Sequence, residues 1–542
     1  MSAKKTNKDK KGSFIIQASV LAAASLIVRF IGFLYRLPLT ELIGDRGNAI
    51  YSAGYYIYTF LLILSSAGLP AAISRLVSTR IAKGEYRNAQ KIFRVSMIFA
   101  GAAGAIGMLV LFFFAEPIAK MVDSPNSVYC LQTLAPTLLI VGVMSVYRGY
   151  LQGMNIMTPT AVSQIFEQVF NAVFSVYLAW VLVKQSIPLG AAGGTAGTGI
   201  GALAGLIVVM IFYNRMKPEI EIRHNMRIEE KGIYQETTGE AFKKLVVTAF
   251  PIIAGTAVFS MTNLIDMKMV MSGLMSSGAF AEAEAEVLYG QLSGKYVTLT
   301  TFPVSISSAM ATAAIPNIAM AVTVGNKKEV KRKINTALKL AMIISIPAAV
   351  GIGVLGDQIL RMLFPSYPEG GVLLKVGAIS IAFLSFCQIV TGVLQGIGKI
   401  QVPVIGALLG AVVKIALNWI LIRIPSINVV GAVISTDVCY LVASIFNVIM
   451  LMRYTKTRVN FSGVLIKPTI GSIIMGIGCV IGYKVISLVF GNTISTLLTI
   501  IVAVIIYLLV MIFIRGITEE DLLSIPKGRI LVRVFKKIGL LK

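Results

Sequence analysis

Long apolar runs alternate with short polar stretches along the whole chain. Apolar windows of about 20 residues, enough for a helix to cross a hydrocarbon core of about 30 Å, recur from end to end. Runs of this length predict membrane-spanning helices. We therefore predict an all-α polytopic membrane protein with about fourteen transmembrane helices, at 13–40, 48–79, 95–115, 129–152, 159–183, 190–213, 244–275, 287–322, 334–356, 371–396, 402–423, 429–452, 464–488 and 493–515.

The two halves of the chain resemble each other at an offset near 242 residues. Gly149-Tyr-Leu-Gln-Gly153 recurs as Gly392-Val-Leu-Gln-Gly396, and Pro159 recurs as Pro403. Each repeat holds six spans, which gives both halves one orientation and predicts a pseudo-twofold axis along the membrane normal. The predicted organisation is a basic tail (1–12), an N-lobe (13–213), a linker (214–243), a C-lobe (244–452), two extra spans (464–515) and an amphipathic basic tail (516–542).

The basic residues are distributed unequally between the two predicted sides. The chain has 49 lysines and arginines against 24 acidic residues, a net charge of +25. Of the 49, 35 fall on the side of the termini, 7 on the opposite side and 7 within spans. The positive-inside rule places both termini in the cytoplasm. Loops facing anionic lipid account for most of the charge, so we expect membrane lipids and no nucleic acid as partners.

The charges within the spans are the candidate functional residues. The seven basic residues there outnumber three acids, Glu167, Asp266 and Asp437, so a shared cavity would suit phosphate or carboxylate groups. Arg29 and Arg36 are seven residues apart and share a helix face with Gly32. The residues predicted to bind substrate in a central cavity are Arg29, Arg36, Arg75, Lys295, Lys414, Glu167, Gln164, Asn171 and Asp266.

Some of these positions allow a second interpretation. Arg75 and Arg148 lie near cytoplasmic span ends, where long side chains can reach the interface. Glu167 belongs to a polar stripe on span 5, with glutamines and Asn171 at helical spacing. Such a stripe lines either a cavity or a hydrogen-bonded seam between helices.

The chain shows no motif for catalysis or for a metal. The four cysteines lie in apolar runs without metal-ligand spacing and are expected to be free thiols, and the single His224 lies in the basic linker. We therefore predict a transporter and not an enzyme. No cofactor is expected; a coupling cation (Na⁺ or H⁺) or the membrane potential alone could drive transport.

Four short segments resemble a known family. They are Arg29-Phe-Ile-Gly32, Gly68-Leu-Pro-Ala-Ala-Ile-Ser-Arg75, Gly84-Glu-Tyr86 and Gly149-Tyr-Leu-Gln-Gly153. In this order they resemble the polysaccharide-export branch of the multidrug/oligosaccharidyl-lipid/polysaccharide (MOP) exporter superfamily, above all the MurJ-like lipid II flippases and the stage V sporulation protein B family. The likeness covers almost the whole chain, including the fourteen spans.

The resemblance implies two six-helix lobes around a cationic cavity and outward flipping of an undecaprenyl-linked peptidoglycan precursor by alternating access. It implies a multi-pass protein of the bacterial cytoplasmic membrane, a monomer or a partner of cell-wall synthesis enzymes. Arg29 matches the first essential arginine of the family, whereas Tyr35 stands at the second position and Arg36 follows. Thr298 and Thr301 replace an arginine and a glutamate of span 8, with Lys295 one turn away.

Several functions remain open on the sequence. Lipid II is the expected substrate, and other lipid-linked polysaccharide precursors are the first alternative. A cation-coupled multidrug exporter of the same superfamily predicts twelve spans and an acid-dominated cavity. A membrane glycosyltransferase would need catalytic acids near a large outer loop, and a scaffold would not need charges within spans.

Overall fold

The structure is a computed structural model that describes residues 2–225, 234–323 and 325–517. Helices account for most of the described residues, which form no strand, and this confirms the all-α prediction. The first eight helices are α1 (Ser2–Leu62), α2 (Leu69–Lys83), α3 (Tyr86–Phe113), α4 (Ala115–Met121), α5 (Val128–Gly153), α6 (Thr158–Leu182), α7 (Ile187–Asn225) and α8 (Thr238–Ser276).

The second half continues with ten more helices. They are α9 (Glu282–Gly290), α10 (Val297–Thr323), α11 (Lys327–Val354), α12 (Gly356–Leu363), α13 (Gly371–Gly377), α14 (Ser380–Gly396), α15 (Gln401–Leu421), α16 (Val430–Thr455), α17 (Lys467–Ile486) and α18 (Asn492–Phe513). By length and hydropathy, ten helices among the described residues can cross a membrane. The number is eleven if α13 and α14, which meet at a bend of 47°, form one span.

Helix α1 contains the first predicted span and the start of the second, which continues into α2. It breaks at Gly44, whose φ of 67° lies in the left-handed region that favours glycine. The break frees backbone carbonyls, and the Asn48 side-chain amide donates to two of them, Gly44 O at 2.7 Å and Thr40 O at 3.3 Å. The buried Asn48 therefore stabilises the break between predicted spans 13–40 and 48–79.

The chain divides into two compact units, Met1–Ser272 and Gly273–Lys542. Most of α8 lies in the first unit, because its buried Ala241 and Leu245 pack into one apolar cluster with Leu69 and Ile73 of α2. The sequence-based division into lobes at 214–243 follows the order of the repeats and stays a prediction. Part of that linker (226–233) and the predicted tail from 518 onward lie outside the described residues.

The helix boundaries repeat at a nearly constant offset. Helices α3 and α11 both have 28 residues, and each is followed directly by a short helix, α4 or α12. Helices α5 and α14 end at Gly153 and Gly396, an offset of 243. The turns before α3 and α11 each contain a glycine with positive φ, Gly84 at 83° and Gly325 at 75°. Local geometry thus repeats along with the sequence.

The repeated Gly149–Gly153 motif is a packing surface. A Cβ at Gly149 would lie 2.9 Å from Pro70 Cα, and one at Gly153 would lie 2.7 Å from Val77 Cβ. Two glycines four residues apart therefore let α5 approach α2 closely, as small residues do in membrane helix pairs.

Candidate functional site

The first half of α1 presents the two arginines that the sequence singled out. Arg29 is exposed and Arg36 is partly buried. Gly32, between them, faces α6: a Cβ at this position would lie 3.3 Å from Gln168 Nε2. The arginine-bearing face of α1 therefore borders the polar stripe of α6, and both lie in the first unit.

Arg36 is held by aromatic rings from the other half of α1. Its guanidinium carbon lies 4.5 Å from the centre of the Tyr51 ring and 5.9 Å from that of Tyr55. The two rings are stacked at 5.8 Å with an interplanar angle of 13°, and Tyr51 is completely buried. Cation–π contact fixes the guanidinium plane and leaves its donors for an anion.

The acid of the α6 stripe forms an ion pair. Glu167 Oε2 accepts a hydrogen bond from Arg148 Nη2 at 2.7 Å, and Arg148 Nε donates to Ser163 Oγ at 2.9 Å. The Arg148 side chain is 12% exposed and that of Glu167 is 30% exposed. Arg148 thus joins α5 to α6 rather than reaching the interface, and this pair cancels one positive charge of the first unit.

Asn171 belongs to a seam between α6 and α7. Its Oδ1 accepts a hydrogen bond from Ser175 Oγ at 2.9 Å, and Ser175 Oγ also lies 2.7 Å from Gly194 O. A Cβ at Gly197 or Gly201 would clash with the α6 backbone. At Asn171 the stripe therefore forms a hydrogen-bonded seam between helices, where the side chain is buried. The predicted contact of Asn171 with substrate stays a prediction.

The remaining first-unit candidates have mixed surroundings. Arg75 is exposed in the middle of α2, and Asp266 on α8 is partly buried. Gln164, one turn before the Glu167 pair, is also partly buried, and its Oε1 has no hydrogen-bond partner among the described residues. Gln164 therefore retains an acceptor for a ligand or a water molecule.

The prediction that Lys295 faces a cavity stays a prediction, and in this structure Lys295 lies within the second unit. The side chain is only 1% exposed. Its Nζ donates to Tyr367 O at 2.6 Å and to Glu369 O at 3.1 Å, because the π-helical turn Gln291–Tyr296 directs it toward the loop that precedes α13. Lys295 satisfies backbone carbonyls of the second unit and offers no surface to a substrate.

Lys414 lies in a buried polar layer of the second unit. It is 8% exposed and lies one turn from Asn418 on α15. Gly410 lets α16 approach, since a Cβ there would lie 2.7 Å from Cys439 O. This register places Asp437 of α16 near the level of Lys414. Asp437 is 8% exposed, and its Oδ1 has no hydrogen-bond partner among the described residues.

The second unit also contains a large apolar cavity. Its volume is about 940 Å³, and helices α11, α14, α16 and α17 contribute most of its walls. Phe383 and Phe386 line it from α14, and Phe461 and Leu465 line it from the turn before α17. Its shape and lining suit a hydrocarbon chain.

A buried ionic cluster, absent from the sequence predictions, lies where the linker meets α8. Glu236 accepts hydrogen bonds from Arg80 Nη2 at 2.7 Å and from Lys244 Nζ at 2.7 Å. Burial acts to raise the pKa of the Glu236 carboxyl, but the hydrogen bonds from Lys244 and Arg80 outweigh it, and the pKa is lowered. The backbone of Glu236 also bonds Asn88 and Lys91 of α3.

Sequence reasoning missed Tyr51, Tyr55 and the Glu236 cluster. Tyr51, Tyr55 and Tyr58 are spaced four and three residues apart, hence on one helix face. That spacing was a usable signal for an aromatic surface. The charges of the Glu236 cluster were counted as solvated, because nothing in a single sequence pairs residues that are 156 positions apart.

Comparison with solved structures identifies the class of protein. The fold matches that of the lipid II flippase MurJ in an inward closed conformation, with a TM-score of 0.66 at 15% identity. The match covers 91% of this chain and 98% of that one. The molecule therefore shares the all-α fold of that protein, as the sequence predicted.

Comparison of sequences identifies the family. The chain belongs to the polysaccharide biosynthesis protein family, whose model matches residues 16–322, and the MatE model matches residues 291–420. Lipid II flippase MurJ of Bacillus subtilis (strain 168) is 27% identical over 498 residues, 88% of this chain and 89% of the relative. Stage V sporulation protein B of the same organism is 26% identical over 532 residues, 96% of this chain and 100% of the relative.

Proposed function

We propose that this protein is a flippase that moves an undecaprenyl-pyrophosphate-linked cell-wall precursor from the inner to the outer leaflet by alternating access. Lipid II is the leading substrate. The proposal is supported by the flippase relatives and by one feature of the site, the pair of arginines on α1.

The arginine pair carries the proposal because its chemistry matches a pyrophosphate. Each guanidinium offers a planar fork of donors that fits two phosphate oxygens, which an ammonium meets only as a point charge. Arg36 is already oriented by the Tyr51 ring at 4.5 Å, so little conformational freedom is lost on binding. Arg29 is exposed seven residues away on the same face and would engage the same headgroup.

The undecaprenyl chain of the substrate is apolar, and the second unit has an apolar cavity. In the families that the chain resembles, spans 13 and 14 form a groove for the lipid tail. Phe461 and Leu465, which precede α17, and Thr469 in its first turn line the apolar cavity of about 940 Å³. We assign part of the isoprenoid chain to this cavity.

The charge of the substrate supplies a driving force. Moving one charge through 100 mV is worth about 2.3 kcal/mol. A pyrophosphate with about two negative charges that leaves an inside-negative cell gains roughly 4–5 kcal/mol at that potential. The membrane potential therefore favours net outward movement, with or without a coupling cation.

The test is a precursor-accessibility assay in cells that depend on the variant. Arg36→Ala and Arg29→Ala each remove a contact of about 1.5–3 kcal/mol, or about one to two decades in affinity. We expect precursor to accumulate inside, while Arg36→Lys transports at an intermediate rate. Arg453→Ala, which removes an exposed arginine from the end of α16, is the matched control and should transport normally.

The identity of the lipid that accumulates decides the substrate. Lipid II inside the depleted cells supports the leading proposal, whereas another undecaprenyl-linked saccharide would replace it. Wild-type flipping by both alanine variants, at equal expression, would overturn the anion-binding role of α1.

A further inference from the structure

The chain contains two tryptophans, and both lie at matching places in the two repeats. Trp180 is the third residue from the end of α6, and Trp419 is the third from the end of α15. Helix α6 has 25 residues and α15 has 21, so α15 is one turn shorter. Both tryptophans nevertheless lie at the same distance from the end of their helix. Their position therefore follows the boundary of the span and not the register of the repeat.

Each indole ring is in contact with a basic side chain four residues further along the chain. Lys184 Nζ lies 4.1 Å from the Trp180 ring centre, and Arg423 Cζ lies 4.6 Å from the Trp419 ring centre. Trp180 is 49% exposed and Trp419 is 62% exposed. Arg423 Nη1 also donates to Trp419 O at 3.0 Å. The two units thus present the same exposed pair, an indole with a cation stacked on it.

These cations differ from other basic residues of the same predicted side. Lys120 pairs with Glu116 at 2.6 Å, and Lys375 pairs with Asp357. Lys184 and Arg423 form no ion pair with a carboxylate in the described part of the chain. The segments after the two helices, 183–186 and 422–429, contain no acidic residue. Both pairs therefore keep a full positive charge beside an exposed aromatic ring.

We propose that Trp180–Lys184 and Trp419–Arg423 each bind the phosphate of an anionic phospholipid headgroup, at the membrane boundary opposite the predicted cytoplasmic side. Indole rings prefer the headgroup level, where the ring is apolar and the N–H can donate a hydrogen bond. The cation four residues on extends toward the phosphate while its stem covers the ring. The inference does not depend on what is transported.

The two tryptophans make the test specific. Trp180→Phe and Trp419→Phe each leave one indole, whose fluorescence reports its own site in the full chain reconstituted in nanodiscs. Lipids brominated near the top of the acyl chain should quench both indoles more than lipids brominated near its end. At equal mole fraction, brominated phosphatidylglycerol should be enriched about fivefold over brominated phosphatidylcholine, equivalent to about 1 kcal/mol per cation.

Removal of the cation should abolish the enrichment of phosphatidylglycerol near the indole. It should not change the depth of the indole in the bilayer. The enrichment should fall to near one in two double variants. These are Lys184→Gln in the Trp419→Phe background and Arg423→Gln in the Trp180→Phe background. Lys484→Gln removes an exposed basic residue in the last turn of α17 and should leave it unchanged. High salt should weaken the enrichment in the starting protein.

Equal quenching by the two lipids, or stronger quenching by the deep label, would overturn the proposal. Quenching by a lipid-linked pyrophosphate alone would also overturn it.

Discussion

The contact of Glu236 with Arg80 should hold the start of α8 against α2. The Arg80 and Glu236 side chains are each 6% exposed, and Arg80 donates through Nε and Nη2 to the carboxylate, at 3.3 and 2.7 Å. Breaking a buried pair by removing one partner costs about 3–5 kcal/mol, because a charge is left buried. Lys244 remains at 2.7 Å in an Arg80→Leu variant, so we expect the lower end, about 3 kcal/mol.

The assay is hydrogen exchange of the Glu236 amide, measured by mass spectrometry. This N–H donates to Asn88 Oδ1 at 3.0 Å and exchanges only when the cluster opens. Because each 1.4 kcal/mol is a factor of ten, Arg80→Leu should accelerate exchange about a hundredfold. Lys244→Ala removes a half-exposed cation and should change exchange less than tenfold. An Arg80→Leu rate within threefold of wild type would refute the reasoning.

The same cluster should respond to acid. The pKa of Glu236 is lowered in the folded protein, so its contribution to stability is present above the unfolded carboxyl pKa of about 4.3. It is lost as the pH falls through the folded pKa. Exchange of the Glu236 amide, corrected for intrinsic rates, should accelerate below about pH 4.5. It should lose this dependence in Glu236→Gln.

Three further predictions are independent of the cluster. In a cysteine-free background, a cysteine at Glu284 should react with an impermeant reagent from outside, and one at Lys328 should not; the opposite pattern would reverse the topology. Gly197→Ala should lower stability by about 1–3 kcal/mol, because the added Cβ would clash with α6. Gly101→Ala is the control, because a Cβ there meets nothing within 4 Å. The melting temperatures of the two variants can be compared with a dye that reacts with the buried cysteines as they become exposed. Lys295→Met should destabilise the protein by about 1–3 kcal/mol but should retain flipping. Loss of flipping at normal stability would indicate that Lys295 contacts the substrate.

Hydropathy predicted the spans because the bilayer fixes how long an apolar helix must be. Predicted spans 13–40 and 48–79 lie on either side of the Gly44 break, which separates two helical segments of α1. The repeated glycine motif was equally informative. Gly149 and Gly153 pack against α2, a role that depends only on the absence of a side chain and is therefore readable from residue type.

Partners across helices could not be predicted from one sequence. Glu167 and Arg148 were both identified as charges within spans, but nothing in their spacing showed that they bond each other at 2.7 Å. Lys295 was expected in a cavity because an ammonium within a span needs water or an anion. Backbone carbonyls 72 and 74 residues away fulfil that need instead, and carbonyls leave no signal in the sequence.

The contacts of the basic residues within spans determine how many of them are available to bind an anion. Counted along the chain, seven basic residues within spans exceed three acids, and all seven could have served one anion. The structure removes Arg148 from this set through Glu167 and Lys295 through backbone carbonyls. Among the basic residues within the predicted spans of the first unit, Arg36 is the one whose guanidinium the described structure places over aromatic rings. We therefore expect loss of Arg36 to weaken binding of an anionic headgroup more than loss of any other basic residue within a span.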